Sequence, residues 1–289
     1  MSAPPVADDR RRPGPVDWAT AELPVAWPDR LRAWLPWELA QLVWGFLRKR
    51  RPVQLPADLP GAEFLPKYLL QEFHNLPNGN YSHHVSHGYV RNFERVMLGH
   101  LASARATMAK HLLPANDLLD VGSGGGSTAA QMLASGAGHV TGVEPSPYLL
   151  RHAARRYPRV RFVQGLAERL PFDDASFDAV AVCFLLHELP PKFMRQALRE
   201  CRRVLRPGGR LAICEPSPTQ LRLGAWELRR RHGWRGVYFR MLAKRVHEPF
   251  VAAWHALDPV AELQAAGFTA VRDVEQFPSR HLQAVVERN

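Results

Sequence analysis

Two stretches of the chain and one isolated acid carry residues whose types and spacing suit chemistry. Leu118-Leu-Asp-Val-Gly-Ser-Gly-Gly-Gly-Ser127 is an apolar run that passes straight into glycines and then into a helical pattern. Gly122, Gly124 and Gly126 let the backbone approach a ligand where a Cβ would clash, and a helix start offers free N–H donors. Asp120 and Ser123 stand in the same turn. Glu144 ends the next apolar run, 24 residues after Asp120, where a carboxylate can accept from both hydroxyls of a ribose. The second stretch is Phe184-Leu-Leu-His-Glu-Leu189. His187 has an ordinary pKa suited to general-base work, and Glu188 could orient or replace it; the alternative is that His187 only lines a pocket wall.

A histidine cluster, Tyr81-Ser-His-His-Val-Ser-His-Gly-Tyr89 with His74 before it, invites a metal reading. Neither a cysteine nor a tight His–Glu motif accompanies it, so no metal site is expected. A further stretch, Arg222 to Arg245, interleaves Trp226, Trp234, Tyr238 and Phe239 with arginines. Such a pattern can stack bases and bind phosphates, or be a packed helix with solvated arginines.

These residues need a scaffold. From Leu118 apolar runs alternate with helical patterns, the mark of a parallel sheet covered on both faces. Strands are expected at Leu118–Val121, Val140–Val143, Val160–Val163, Ala179–Phe184 and Arg210–Cys214. Helices are expected near Ser127–Ser135, Tyr148–Tyr157 and Lys192–Leu205, with Arg206-Pro-Gly-Gly209 as the turn after the third. A basic helical insertion spans Thr219 to Val251; a helix at Asp258–Ala266 and strands near Ala270–Val274 and Leu282–Val286 close the pattern. Upstream, residues 61–115 read as an α-helical lead-in broken at Asn75–Asn80, with one long helix from about Tyr89 to Leu113.

Residues 1–60 hold ten of the 25 prolines and five of the eight tryptophans, so an irregular start is expected to about Asp29. A short helix follows at Pro36–Leu47, with one narrow polar stripe of Glu38, Gln41, Gly45 and Arg48 and a basic cluster ending at Arg51. It suits docking in a groove of its own domain, or a membrane surface. The net charge of +11 and pI near 10.2 favour anionic partners without specifying one. Cys183, Cys201 and Cys214 are far apart in the chain and read as reduced thiols. With no apolar run long enough to span a bilayer and no signal-peptide pattern, a cytoplasmic protein is expected, with peripheral membrane contact through residues 36–51 left open.

The span from Leu118 to about Pro216 resembles class I S-adenosylmethionine-dependent methyltransferases, especially the branch similar to ubiquinone/menaquinone methyltransferases. Asp120-Val-Gly-Ser-Gly-Gly-Gly126 matches the first motif of that family, and Gly142-Val-Glu-Pro-Ser146 its ribose-binding strand end. Gly165-Leu-Ala-Glu-Arg-Leu-Pro-Phe172 resembles the adenine-side segment. Ser176-Phe-Asp-Ala-Val180 and Leu205-Arg-Pro-Gly-Gly-Arg-Leu211 resemble the entries to the fourth and fifth strands. Leu166 departs from the family, which has an acid there, so adenine falls to Ala167, Glu168 or apolar packing.

The resemblance implies a doubly wound, seven-stranded, mostly parallel α/β sheet with a helical N-terminal extension and S-adenosylmethionine as cofactor. The expected divisions are 1–60, a helical cap at 61–116, and a cofactor-binding domain at 117–289 with a basic lid at about 217–255. Asp120, Gly122, Ser123, Gly124, Gly126, Glu144, Ala167, Glu168 and Phe184 would hold the cofactor. The segment around Tyr81 and His84 would cap it, with both side chains facing the acceptor. The acceptor is expected to be a small acidic or amphipathic molecule. RNA methylation, a non-catalytic cofactor-binding protein and a nicotinamide oxidoreductase are the alternatives; against the last, position 127 is Ser where dinucleotide folds prefer a third small glycine or alanine.

Overall fold

The computed structural model describes residues 16–31 and 51–288. The expected helix at Pro36–Leu47 lies outside them. The core is one seven-stranded sheet of β1 (Asp117–Val121), β2 (His139–Glu144), β3 (Arg161–Gln164), β4 (Phe177–Cys183), β5 (Leu205–Pro216), β6 (Thr269–Gln276) and β7 (Ser279–Val285). Its order is β3-β2-β1-β4-β5-β7-β6. β7 runs antiparallel to both neighbours, and the other pairings are parallel. Parallel strands covered on both faces are near-continuous apolar runs, and Leu118 to Val121, with Asp120 as the one polar residue, and Ala179 to Val182 are fully buried.

The covering helices follow from local signals. In α3 (Ser127–Ala134), α4 (Pro147–Arg156) and α5 (Pro191–Val204), apolar residues recur at helical spacing: α5 buries Met194, Ala197, Leu198, Cys201 and Val204, one stripe against the sheet. Pro147 and Pro191 open their helices, where the missing N–H costs nothing. Ser146 caps α4 by accepting from the Leu149 N–H.

Three details differ from the expected pattern. Residues 61–82 form short 3-10 turns rather than α-helix, because Pro66 and Pro77 interrupt the backbone and His74, Asn75 and Asn78 take positive φ. The long helix splits into α1 (His83–Val96) and α2 (His100–Leu112), parted where Leu98 and Gly99 take φ of 51° and 72°. The turn at Arg206–Gly209 is absorbed into β5 as a bulge: pairing jumps from Phe177 with Leu205 to Ala179 with Arg210.

The basic insertion holds α6 (Thr219–Arg222), α7 (Ala225–Arg245) and α8 (Val251–Ala256), and α9 (Pro259–Ala265) follows it. α7 is kinked at Gly233, which lies at φ 64°. Among the described residues no helix is long and apolar enough to cross a membrane. The three cysteines are free thiols.

Candidate functional site

The order of the sheet reverses between β1 and β4, and the crevice above their carboxyl ends is the natural ligand position. The glycine turn after β1 is tied down on one side, since the Gly122 and Ser123 N–H groups both donate to the Val143 carbonyl at 2.9 Å. Gly126 lies at φ 81°, and a Cβ there would stand 2.7 Å from Phe162 and 3.0 Å from Ala153. Gly126→Ala should therefore cost about 1–3 kcal/mol of stability, read by denaturant unfolding. Gly124 is different: it also has positive φ, but a Cβ there would meet nothing within 4 Å. That open space faces a cavity lined by Gly122 to Gly125, Asn80, Tyr81, Arg105, Glu144 and Phe184, among others.

The polar groups of this cavity fit S-adenosylmethionine. Glu144 accepts from the Gly124 and Ser146 N–H groups, each at 3.0 Å. A carboxylate has about four acceptor sites, so ribose hydroxyls can take those left. The Ser123 hydroxyl and the Asn80 side-chain amide oxygen are buried and have no hydrogen-bond partner among the described residues, as a site shaped for a polar ligand requires. Arg105, paired with Glu94, lines the cavity with a buried Nε that lacks a partner and could meet the cofactor carboxylate. Asp120 supports from beneath, accepting from the Ala129 N–H at 2.9 Å.

Burial pushes the Glu144 and Asp120 carboxyls up to about 7. Ribose hydroxyls favour the ionised Glu144, so cofactor affinity should rise with pH through about 7 and then level off. Calorimetry between pH 5.5 and 8.5 checks this. The same raised values make the two groups' contribution to stability of the cofactor-free fold full below the ordinary carboxylate range and lost as pH rises through about 7.

Behind this cavity lies a second, largely apolar one of about 670 Å³. Tyr89, Phe93, Phe184 and Glu188 line both. Phe184 holds that position at φ 57°, uncommon for a residue with a side chain, directly where β4 ends.

His74, His187, Glu188 and Glu248 line the second cavity in contact with one another, and Glu215 backs His187 from behind. His187 is buried, with Nδ1 2.5 Å from the Glu215 carboxylate and Nε2 3.6 Å from Glu248. His74 Nε2 lies 3.1 Å from Glu188 and 3.8 Å from Glu248. Glu215 also accepts from the Leu185 and Leu186 N–H groups at 2.9 and 2.8 Å, fixing the 3-10 turn Leu186–Glu188. Burial alone would lower the His187 pKa, but the facing carboxylates of Glu215 and Glu248 override it and hold the ring protonated. Burial likewise pushes Glu248 up, but His187 and His74 outweigh it and keep the carboxylate ionised.

The remaining expected residues fall in different places. Tyr81 lines the cofactor cavity and not the apolar one; burial and nearby Glu144 keep its hydroxyl protonated. His84 is outside both cavities, with 71% of its side chain exposed, near Asp29. Ala167 is buried in the core. Neither Ala167 nor Glu168 lines the cofactor cavity; Glu168 accepts from the Tyr68 hydroxyl at 2.7 Å and keeps a buried, unpartnered Oε2. The clustered histidines disperse: His83 contacts the Leu23 carbonyl and Arg151, and His87 stacks edge-on with His152. Sequence reasoning missed Asn80, Tyr89, Arg105, Glu215 and Glu248; only Glu215, an acid ending the fifth strand, carried a local signal.

Residues 119–213, about a third of the chain, match the family model of the methyltransferase domain, and they lie within the seven-stranded sheet described above. Over 99 residues the chain is 40% identical to the demethylmenaquinone methyltransferase of Chlorobaculum tepidum, covering 34% of this chain and 40% of that one. Over 122 residues it is 38% identical to the 27-O-demethylrifamycin SV methyltransferase of Amycolatopsis mediterranei, covering 39% and 44%. The matched stretch thus spans less than half the length of these two relatives. A Methanococcus maripaludis protein assigned to the S-adenosyl-L-methionine-dependent methyltransferases shares the fold with a TM-score of 0.52 at 15% identity, over 71% of this chain and 93% of that one.

Proposed function

We propose that the protein transfers a methyl group from S-adenosylmethionine to a small, mostly apolar acceptor that carries an ionisable hydroxyl. One observation carries this reading: the cofactor-type cavity shares a wall with a largely apolar cavity that also carries His74, His187, Glu188 and Glu248 in contact with one another. Glu144 would hold the ribose and Arg105 the carboxylate. When bound, the cofactor supplies an electrophilic methyl group that needs alignment and dryness more than activation. Phe184, Tyr89 and Phe93 supply the dry wall.

Of the two residues put forward as base, His187 is better suited as a fixed cation, because Glu215 and Glu248 keep it protonated. It would steady the negative charge that develops on the acceptor oxygen. The ionised Glu248 would take the hydroxyl proton, and Glu188, bound to His74, would orient the acceptor. A quinol of the kind implied by the demethylmenaquinone relative fits the size and polarity of this space. RNA finds no support as acceptor, since the exposed tryptophans lie outside both cavities.

Calorimetric titration with S-adenosylmethionine, S-adenosylhomocysteine and NADH tests the cofactor reading, followed by transfer of labelled methyl to a soluble naphthohydroquinone. Binding of the first two is expected; binding of NADH alone would overturn it.

A further inference from the structure

The outer face of α7 is not used by the reaction. Its inner face faces the fold: Leu228 and Phe239 are buried, and Leu242, Ala243 and Val246 line the apolar cavity. On the outside, Trp226 is 74% exposed, Trp234 62% and Met241 44%. Trp234 and Met241 are seven residues apart, two helical turns, and so share one face. Val96, at the end of α1, is 38% exposed and also lines the apolar cavity. The Tyr238 hydroxyl donates to its carbonyl at 2.8 Å. An apolar strip therefore continues from the exposed helix face to the cavity wall.

The charge around this strip is one-sided. Residues 222–245 contain eight arginines and lysines against a single acid, Glu227, which is engaged by Arg231. Arg229, Arg230, Lys244 and Arg245 are exposed beside the apolar residues. Tryptophan at headgroup depth with arginine and lysine around it is the chemistry of a helix lying in an anionic lipid surface. Single-stranded nucleic acid needs open ring faces in succession. Here Arg230 covers the Trp226 ring at 5.6 Å and Trp234 meets Tyr238 edge-on, and Met241 and Val96 offer bases nothing to stack on.

We infer that the outer face of α7 docks the protein onto an anionic lipid bilayer, beside the wall of its apolar cavity. The docking is independent of whether the chain transfers methyl groups, and its test reads no turnover.

The experiment is sedimentation of the full chain with vesicles of phosphatidylcholine alone or with about 30% phosphatidylglycerol, for the natural sequence and a Trp226→Ser/Trp234→Ser variant. The natural protein should sediment with the anionic vesicles only, less so at high salt. The variant should partition at least about tenfold more weakly while binding S-adenosylmethionine as the natural protein does. If the natural protein ignores anionic vesicles, or the variant binds them equally, the inference fails. It fails equally if the double substitution abolishes binding to oligouridylate or splits a dimer in sedimentation velocity while vesicle binding is unchanged, since the face would then serve RNA or a second copy.

Discussion

Glu144→Ala is expected to weaken S-adenosylmethionine binding about 100-fold, near 3 kcal/mol. Glu144 is buried, and among the described residues its hydrogen-bond partners are the backbone N–H groups of Gly124 and Ser146. Two ribose hydroxyls donating to it would be charge-assisted bonds, each about 1.5–3 kcal/mol. Removing the carboxylate also frees the Gly124 N–H, so the glycine turn loses a tie on its ligand side. Glu144→Gln keeps the shape and one acceptor oxygen, and should lose about tenfold, without the pH dependence near 7. Calorimetry on the three proteins decides it; equal affinities would remove Glu144 from the ribose.

The second large effect is expected at Glu248. Glu248→Gln should lower turnover of a hydroquinone acceptor about 100-fold or more, with cofactor affinity unchanged because Glu248 lines only the apolar cavity. The outcome separates the two proton acceptors. If His187 were the base, it would need to be neutral, and removing the Glu248 charge would help it become so. Turnover at neutral pH would then hold or rise in Glu248→Gln. A fall in kcat with KM little changed, seen in single-turnover transfer of labelled methyl, supports the carboxylate.

What could be read from the sequence was what is local in it. The strand, glycine turn and helix from Leu118 to Ala134 lie in one continuous stretch, and each residue type there answers to its neighbours. Glu144 was readable because one βαβ unit places it beside that turn. Glu248 was not, because it meets His187 only through the return of the chain after α7, and Glu215 was marked only as an acid near the end of a strand, its contact with His187 arising from the register of β5 beside β4. Residues 61–82 misled for the opposite reason. Their composition allows helix, but Pro66, Pro77 and three left-handed residues leave no stretch long enough to close one. His84 looked like its neighbours in type, yet its position on α1 turns it outward, a difference of orientation that a histidine count does not record.

The place of β7 in the sheet has a consequence for how the chain is made. β5 is hydrogen-bonded on one side to β4 and on the other only to β7, with Leu211 beside Ala284 and Ile213 beside Leu282. On the ribosome, β5 emerges long before its second neighbour, and the whole basic insertion must be synthesised in between. Through that interval a nascent chain shows an apolar strand with an open edge, the kind of surface that recruits other strands. A stalled or truncated product lacking β7 should therefore aggregate or be held by chaperones.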